Sequence, residues 1–207
     1  MDSSQQFWDQ TYNKHYEPRI IDIESYSRKA GLTEQAFLRL IGDVSGIIIL
    51  EIGCGTGELS VWLAKLGARV TATDYSRSAI ERIRSLAQFN DVIDRINAYQ
   101  IDALDLSKLG ATYDLIVGKY ILHHVEPFNT FVEILYNAMQ DNGRGVFIEN
   151  SSRNALLMFA RRNIVGRFGV PKYGDEEEHP LESMEITTLE RRFNVRQYFP
   201  DFIFLEC

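Results

Sequence analysis

One stretch constrains this chain more than any other: Glu51-Ile52-Gly53-Cys54-Gly55-Thr56-Gly57-Glu58. It lies between an apolar, β-branched run from Ile47 to Gly53 and a stripe of Leu59, Trp62, Leu63 and Leu66 that stops at Gly67. The run reads as a buried parallel strand and the stripe as an amphipathic helix. Glycines between them allow positive φ and let backbone approach a ligand closely. In an open α/β sheet, ligands sit at this place, outside the carboxyl ends of the strands. A tight turn with no ligand is the plainer reading. Three alternating glycines, with an acid two residues before the first, argue against it.

The alternation continues downstream. Ala68 to Asp74, Ile96 to Asp102 and Tyr113 to Tyr120 read as further strands. Ser78 and Glu81 have the spacing of a capping box ahead of Ile80, Ile83 and Leu86. Phe131, Ile134, Leu135 and Ala138 form another helical stripe, and the turn Asp141-Asn142-Gly143 leads into a fifth strand, Gly145 to Asn150. Such order predicts a Rossmann-like, doubly wound, mostly parallel α/β sheet over residues 45–150. Residues 1–42 read as a helical, aromatic segment. Residues 151–190 fit the alternation poorly, and 191–207 hold a final strand region, with a short helix expected over Thr188 to Phe193. No linker divides the chain, so one domain is expected.

Composition removes other classes. A 207-residue chain can bury roughly 70% of its unfolded surface without staples. Two cysteines, Cys54 and Cys207, supply neither a disulfide framework nor a cysteine zinc cluster. The formal net charge of −7 argues against a broadly basic nucleic-acid surface. The opening MDSSQQFW lacks signal architecture, and no run reaches the ~18 apolar residues of a membrane span. A cytoplasmic protein is expected.

The glycine loop also speaks to its ligand. A dinucleotide fingerprint needs a third glycine three residues after the second, where this chain has Glu58. A P-loop lysine and hydroxyl are absent too. The pattern E-x-G-x-G-x-G after the first strand instead resembles motif I of the class I S-adenosylmethionine-dependent methyltransferases. Asp74, Asp102, Tyr113-Asp114-Leu115-Ile116-Val117 and Ile121-Leu122-His123-His124-Val125 are similar to that family's later stations. The resemblance implies S-adenosylmethionine as cofactor and no metal. It implies that Asp74 takes the ribose hydroxyls, with Tyr75 on the adenine face. Asp102, followed by Ala103, would accept from the adenine amino group, with Asp105 as competitor. Backbone at Gly53 and at Gly118 or Lys119 would hold the methionine end, with Glu51 beneath it and Cys54, Gly55 and Gly57 completing the loop. The family sheet has seven strands, so this chain either ends early, the preferred reading, or has a reduced edge.

Methyl transfer needs alignment, exclusion of water and a base where the nucleophile arrives protonated. His123, His124 and Glu149 are the candidates, at the ends of the fourth and fifth strands. The plainer alternative makes them loop-holding residues. For the acceptor, Tyr12, Tyr120, Arg161, Arg162 and His179 are the candidates, with residues 7–16 as an aromatic lid and 151–190 as a cap. Ala155 to Phe159 is apolar and Arg161-Arg162 dibasic, while Ser151 to Tyr173 holds five basic residues and no acid. This suits a small hydrophobic or anionic acceptor, peripheral membrane contact over 155–167, or a packed helix with solvated arginines. Methylation of a protein or tRNA, and a non-catalytic cofactor-binding module, stay open as alternatives. Gly118-Lys119-Tyr120-Ile121 stands where enzymes acting on base or glutamine amino groups often carry N/D-P-P-Y/F, which makes a nucleic-acid base unlikely as the acceptor.

Overall fold

In the computed structural model, residues 3–12, 16–150 and 181–198 are described. Of the expected cap over 151–190, residues 151–180, with Arg161, Arg162 and His179, lie outside them, as does the part of the expected strand region 191–207 beyond residue 198. Five strands, β1 (Ile48–Ile52), β2 (Arg69–Asp74), β3 (Ile96–Gln100), β4 (Tyr113–Lys119) and β5 (Met139–Ile148), make one parallel sheet in the order β3-β2-β1-β4-β5. The winding reverses between β1 and β4, and their carboxyl ends open a crevice where such folds bind ligands.

Helices α1 (Ser3–Tyr12), α2 (Ile23–Lys29) and α3 (Leu32–Ile41) precede the sheet; α4 (Glu58–Lys65), α5 (Arg77–Phe89), α6 (Phe128–Ala138) and α7 (Ser183–Glu190) follow within or after it. Strand alternation sorts the two faces. Ile49, Val70 and Leu115 pack with Phe37, Leu63, Ile83 and Leu86 of α3, α4 and α5. Leu50, Ile52 and Ile116 pack with Phe128, Phe131 and Leu135 of α6, against which Leu189 of α7 leans. Each such side chain removed from water contributes about 1.5–3 kcal/mol. Glu51 shares the α4 face with Ile49, a position otherwise apolar.

The segment before β1 is tied down by polar contacts. Trp62 Nε1 donates to the Ile23 carbonyl at 3.1 Å and Lys65 Nζ to that of Ile21 at 2.8 Å. Arg144 caps the carboxyl end of α3, donating to the Leu40 carbonyl at 2.6 Å and to Ile41 at 2.5 Å.

Several local expectations are corrected. The N-cap of α5 is Ser76, whose Oγ accepts from the Ala79 N–H at 3.2 Å; Ser78 is already helical. Asp74 takes the Ser76 N–H at 2.8 Å and so finishes the turn two residues sooner, leaving Glu81 to pair with Arg77 at 2.8 Å. Asp141-Asn142-Gly143 lies within β5, in an irregularity where Tyr113 pairs with Met139 but Leu115 with Arg144. The strand ends at Ile148, so Glu149 falls just past it. The late helix starts earlier than expected, because Glu182 and Glu185 form the capping box that opens α7. Residues 191–198 carry no strand. Among the described residues, no helix is long and apolar enough to cross a membrane.

Candidate functional site

The crevice has two walls. On the first, Gly53, Gly55 and Gly57 have φ of 67°, 48° and 77°, the left-handed region that favours glycine. At Gly57 a Cβ would also come within 2.7 Å of Ile83 Cβ, so this glycine lets α4 start against α5. Asp74, at the end of β2, accepts from the Gly55 N–H through Oδ2 and from the Ser76 N–H through Oδ1, both at 2.8 Å. Burial pushes its carboxyl up, against the pull of these two donors. Each oxygen keeps a further lone pair, so the carboxylate can accept from both hydroxyls of a cis-diol. Tyr75 follows, half-buried. Asp102 opens a 3-10 turn over Ala103–Leu109 by accepting from the Leu104 N–H at 2.8 Å. Its competitor Asp105 is engaged by Lys108 at 2.7 Å.

Glu51 is 2% exposed and accepts from Ser60 Oγ. Burial pushes its carboxyl up to about 7, with Ser60 and the nearby Lys119 pulling the other way. The Cys54 thiol is buried and pushed well up by burial and by Asp74, so it is inert as a nucleophile.

The second wall is the turn after β4. Tyr120 holds φ of 56°, costly for a non-glycine residue, and donates its N–H to the Ile148 carbonyl at 2.7 Å. Glu149 binds this turn from within: Oε1 accepts from the N–H groups of Ile121 and Leu122 at 2.8 Å each, and Oε2 meets His123 Nδ1 at 2.6 Å. The His123 side chain is wholly covered, and the His124 ring lies 4.1 Å from it. Lys119 turns away to Glu34 Oε1 at 2.9 Å and Tyr26 Oη at 3.5 Å. Burial draws its ammonium down, but Tyr26 and Glu34 outweigh that and hold it up. Between the walls, Ile121 fills space: a Cβ on Gly53 would lie 3.1 Å from its Cδ1, and one on Gly118 2.7 Å from its Cγ2.

Helix α1 roofs the crevice. Tyr12 stacks on Trp8 at 5.9 Å and lies over the loop, its hydroxyl 2.9 Å from where a Cβ on Gly55 would stand. Burial, then Asp74 and Cys54, push that hydroxyl up. Trp8 meets the His124 ring edge-on at 5.7 Å. The structure thus brings together Glu51, Gly53, Cys54, Gly55, Gly57 and Asp74 on one wall, His123, His124 and Glu149 on the other, and Tyr12 between. Tyr120 sits at the rim, 48% exposed. Sequence reasoning does not single out Ser60, Ser76, Ile121 or Asp9, whose carboxylate reaches Ser76 Oγ at 2.6 Å. The contact partners of these residues are distant in sequence or lie in other elements, so no local pattern marks them.

Residues 49–143 match the family model described as a methyltransferase domain. The ubiquinone biosynthesis O-methyltransferase of Rickettsia typhi is 37% identical over 180 residues, 84% of this chain and 70% of that protein. The mitochondrial one of Schizosaccharomyces pombe is 39% identical over 138 residues, 67% of this chain and 49% of the relative. That of Rickettsia conorii is 32% identical over 158 residues, 74% and 52% respectively, so the chain spans about half the length of these last two. Among solved structures, a magnesium protoporphyrin IX methyltransferase from Synechocystis has a TM-score of 0.63 at 18% identity, covering 92% of this chain and 84% of the other. An N-methyltransferase from Bradyrhizobium japonicum has a TM-score of 0.59 at 23% identity, covering 92% and 86%. These two likenesses show the fold alone. A 37% match across most of both chains, carried on a sheet of this order, reflects common descent, and the chain belongs to the class I S-adenosylmethionine-dependent methyltransferases.

Proposed function

We propose that this chain transfers a methyl group from S-adenosylmethionine to a hydroxyl of a small, hydrophobic or anionic acceptor. One observation carries the reading: Glu149 holds His123 by Nδ1 at the end of β4, across the crevice from the glycine loop. With Nδ1–H donating to the carboxylate, the basic nitrogen of the ring is Nε2, oriented as a general base. Because the side chain is wholly covered, its neighbours must move before Nε2 meets an acceptor. His124, under Trp8, is the second candidate. The oxygen acceptor is supported by the relatives, which are named O-methyltransferases.

Asp74 would hold the ribose diol and Asp102 the adenine amino group. Backbone at Gly53 and at Gly118 or Lys119 would hold the methionine end, with Glu51 near its ammonium. The cofactor, when bound, supplies an electrophilic methyl group on a sulfonium. The chain's own task is to align the hydroxyl, take its proton and exclude water. Trp8 and Tyr12 serve the last of these as a roof. Ile121 must yield where the crevice is to be filled, since it now occupies the space between Gly53 and Gly118.

Calorimetric titration with S-adenosylhomocysteine, followed by methyl-transfer assays on 4-alkylphenols and 4-alkylcatechols, tests the reading. Micromolar binding that falls at least about tenfold in Asp74→Ala is expected, together with transfer that falls about 100-fold in His123→Ala. Binding with no transfer to any hydroxyl acceptor would leave a binding module, and no binding at all would remove the cofactor assignment.

A further inference from the structure

We propose that Asp9 is a positioning residue for the transfer site: it seats α1 on the amino end of α5 and thereby sets Trp8 against His124. The functional half of this proposal rests on the methyl-transfer reading; the structural half does not. Asp9 Oδ1 accepts from Ser76 Oγ at 2.6 Å and from the Ser78 N–H at 3.2 Å. The first N–H groups of a helix lack partners within it, and their partial positive charge favours a carboxylate. Here the carboxylate comes from another helix. A ten-residue helix is marginal in water, so its docking contacts decide where α1 sits. Hydrogen bonds to a charged group are the stronger kind among them.

Ser76 extends the link. Its Oγ also accepts from the Ala79 N–H, and its own N–H donates to Asp74 Oδ1 at 2.8 Å. One serine therefore joins the acid of α1 to the acid proposed for the ribose diol. On the other flank of α1, Trp8 meets His124 edge-on at 5.7 Å. Tyr12, one helical turn on from Trp8, stacks on it and lies against Gly55. A single short helix is thus fixed at the cofactor wall by Asp9 and forms, through Trp8, part of the acceptor wall. Without the Asp9 carboxylate α1 lifts, and the acceptor subsite loses that part while the glycine loop and Asp74 stay in place.

The test uses fluorine NMR of the full chain labelled with 5-fluorotryptophan, which reports Trp8 and Trp62, its two tryptophans. Trp62 is buried and bonded to the Ile23 carbonyl, so it serves as the internal control. Asp9→Ala is expected to shift the Trp8 resonance and expose it to solvent, with Trp62 unchanged. Its KM for 4-alkylcatechols should rise about tenfold, with a smaller change in kcat and less than about threefold in S-adenosylhomocysteine affinity. Asp9→Asn, which keeps an acceptor oxygen but loses the charge, should fall between. An unmoved Trp8 overturns the proposal. So does a moved Trp8 with unchanged acceptor KM, or a Trp62 shift of equal size, which would mean the whole fold has moved. A wild-type chain that binds no S-adenosylhomocysteine strikes only the methyl-transfer reading, and the Trp8 resonance then decides the seat of α1 by itself.

Discussion

The turn after β1 and the turn after β4 face each other across one crevice and are held by different means. The first is a backbone structure: three glycines at positive φ, with Asp74 gathering the Gly55 and Ser76 N–H groups. The second contains no glycine beyond Gly118. It is held by Glu149, which occupies the N–H groups of Ile121 and Leu122 and the His123 ring together. A loop whose shape comes from backbone conformation needs small residues at fixed positions. A loop whose shape comes from one buried carboxylate tolerates bulky residues but depends on a single side chain from a neighbouring strand end.

Substitutions can break this contrast. The largest effect is expected at Glu149. Glu149→Ala leaves two backbone donors and an imidazole without their acceptor, a loss of about 3–4 kcal/mol by denaturant unfolding. Glu149→Gln keeps an acceptor for the backbone pair and should lose less than half of that. If the two variants unfold alike, the carboxylate does not organise the turn. Next comes Gly57→Ala, which adds a Cβ 2.7 Å from Ile83 Cβ at a φ of 77°, for about 3 kcal/mol. Gly55→Ala meets the Tyr12 ring, nearest at its hydroxyl, so it should displace α1, and the φ of 48° adds about 1–2 kcal/mol of backbone strain.

Glu51 sharpens the contrast through pH. Its carboxyl stands near 4.5 when unfolded and is pushed to about 7 by burial in the fold. The folded chain therefore binds the extra proton between those values. The associated stability is present below about 4.5 and is lost as pH rises toward 7. Glu51→Gln should accordingly stabilise the protein by about 2 kcal/mol at pH 8 and hardly at all at pH 4.5, because the new amide needs a buried acceptor of its own. Equal melting shifts at both pH values would show that the fold does not shift the Glu51 carboxyl. The smallest effect belongs to Tyr120→Gly, where relief of the φ of 56° nearly cancels the added chain entropy, a net change under about 1 kcal/mol. A loss well beyond that would mean the ring, half-exposed as it is, packs against the turn.

The same contrast explains what the sequence made legible. Glycine spacing and strand-end acids are local patterns, so the loop, Asp74 and Asp102 can be placed by reading along the chain. His123, His124 and Glu149 can be named as candidates. Their bonds cannot, because Glu149 reaches its partners from 26 to 28 residues away. Asp9 reads as an ordinary solvated acid until α5 arrives 67 residues later. Spacing marks Ser78 as the cap of α5, and the Asp74 contact, which spacing does not show, places it at Ser76 instead. The strand near residue 140 misleads for a related reason: Asp-Asn-Gly has turn chemistry, yet pairing with β4 at both ends holds it inside β5 as an irregularity.

Sheet order also has a kinetic consequence. β1 pairs with β2 across about 21 residues and β2 with β3 across about 26, whereas Ile49 must wait for Leu115 before β4 can join. Closing the longer loop carries the greater entropic cost. The glycine loop, Asp74 and Asp102 thus belong to a sub-structure whose pairings are all local. His123 and Glu149 belong to the part that docks onto it. β4 pairs with β5 across only about 26 to 29 residues, so each half closes locally. Pulsed hydrogen exchange should find the amides that bridge β1 and β4 protected last: the two walls of the crevice take shape apart before the seam between them closes.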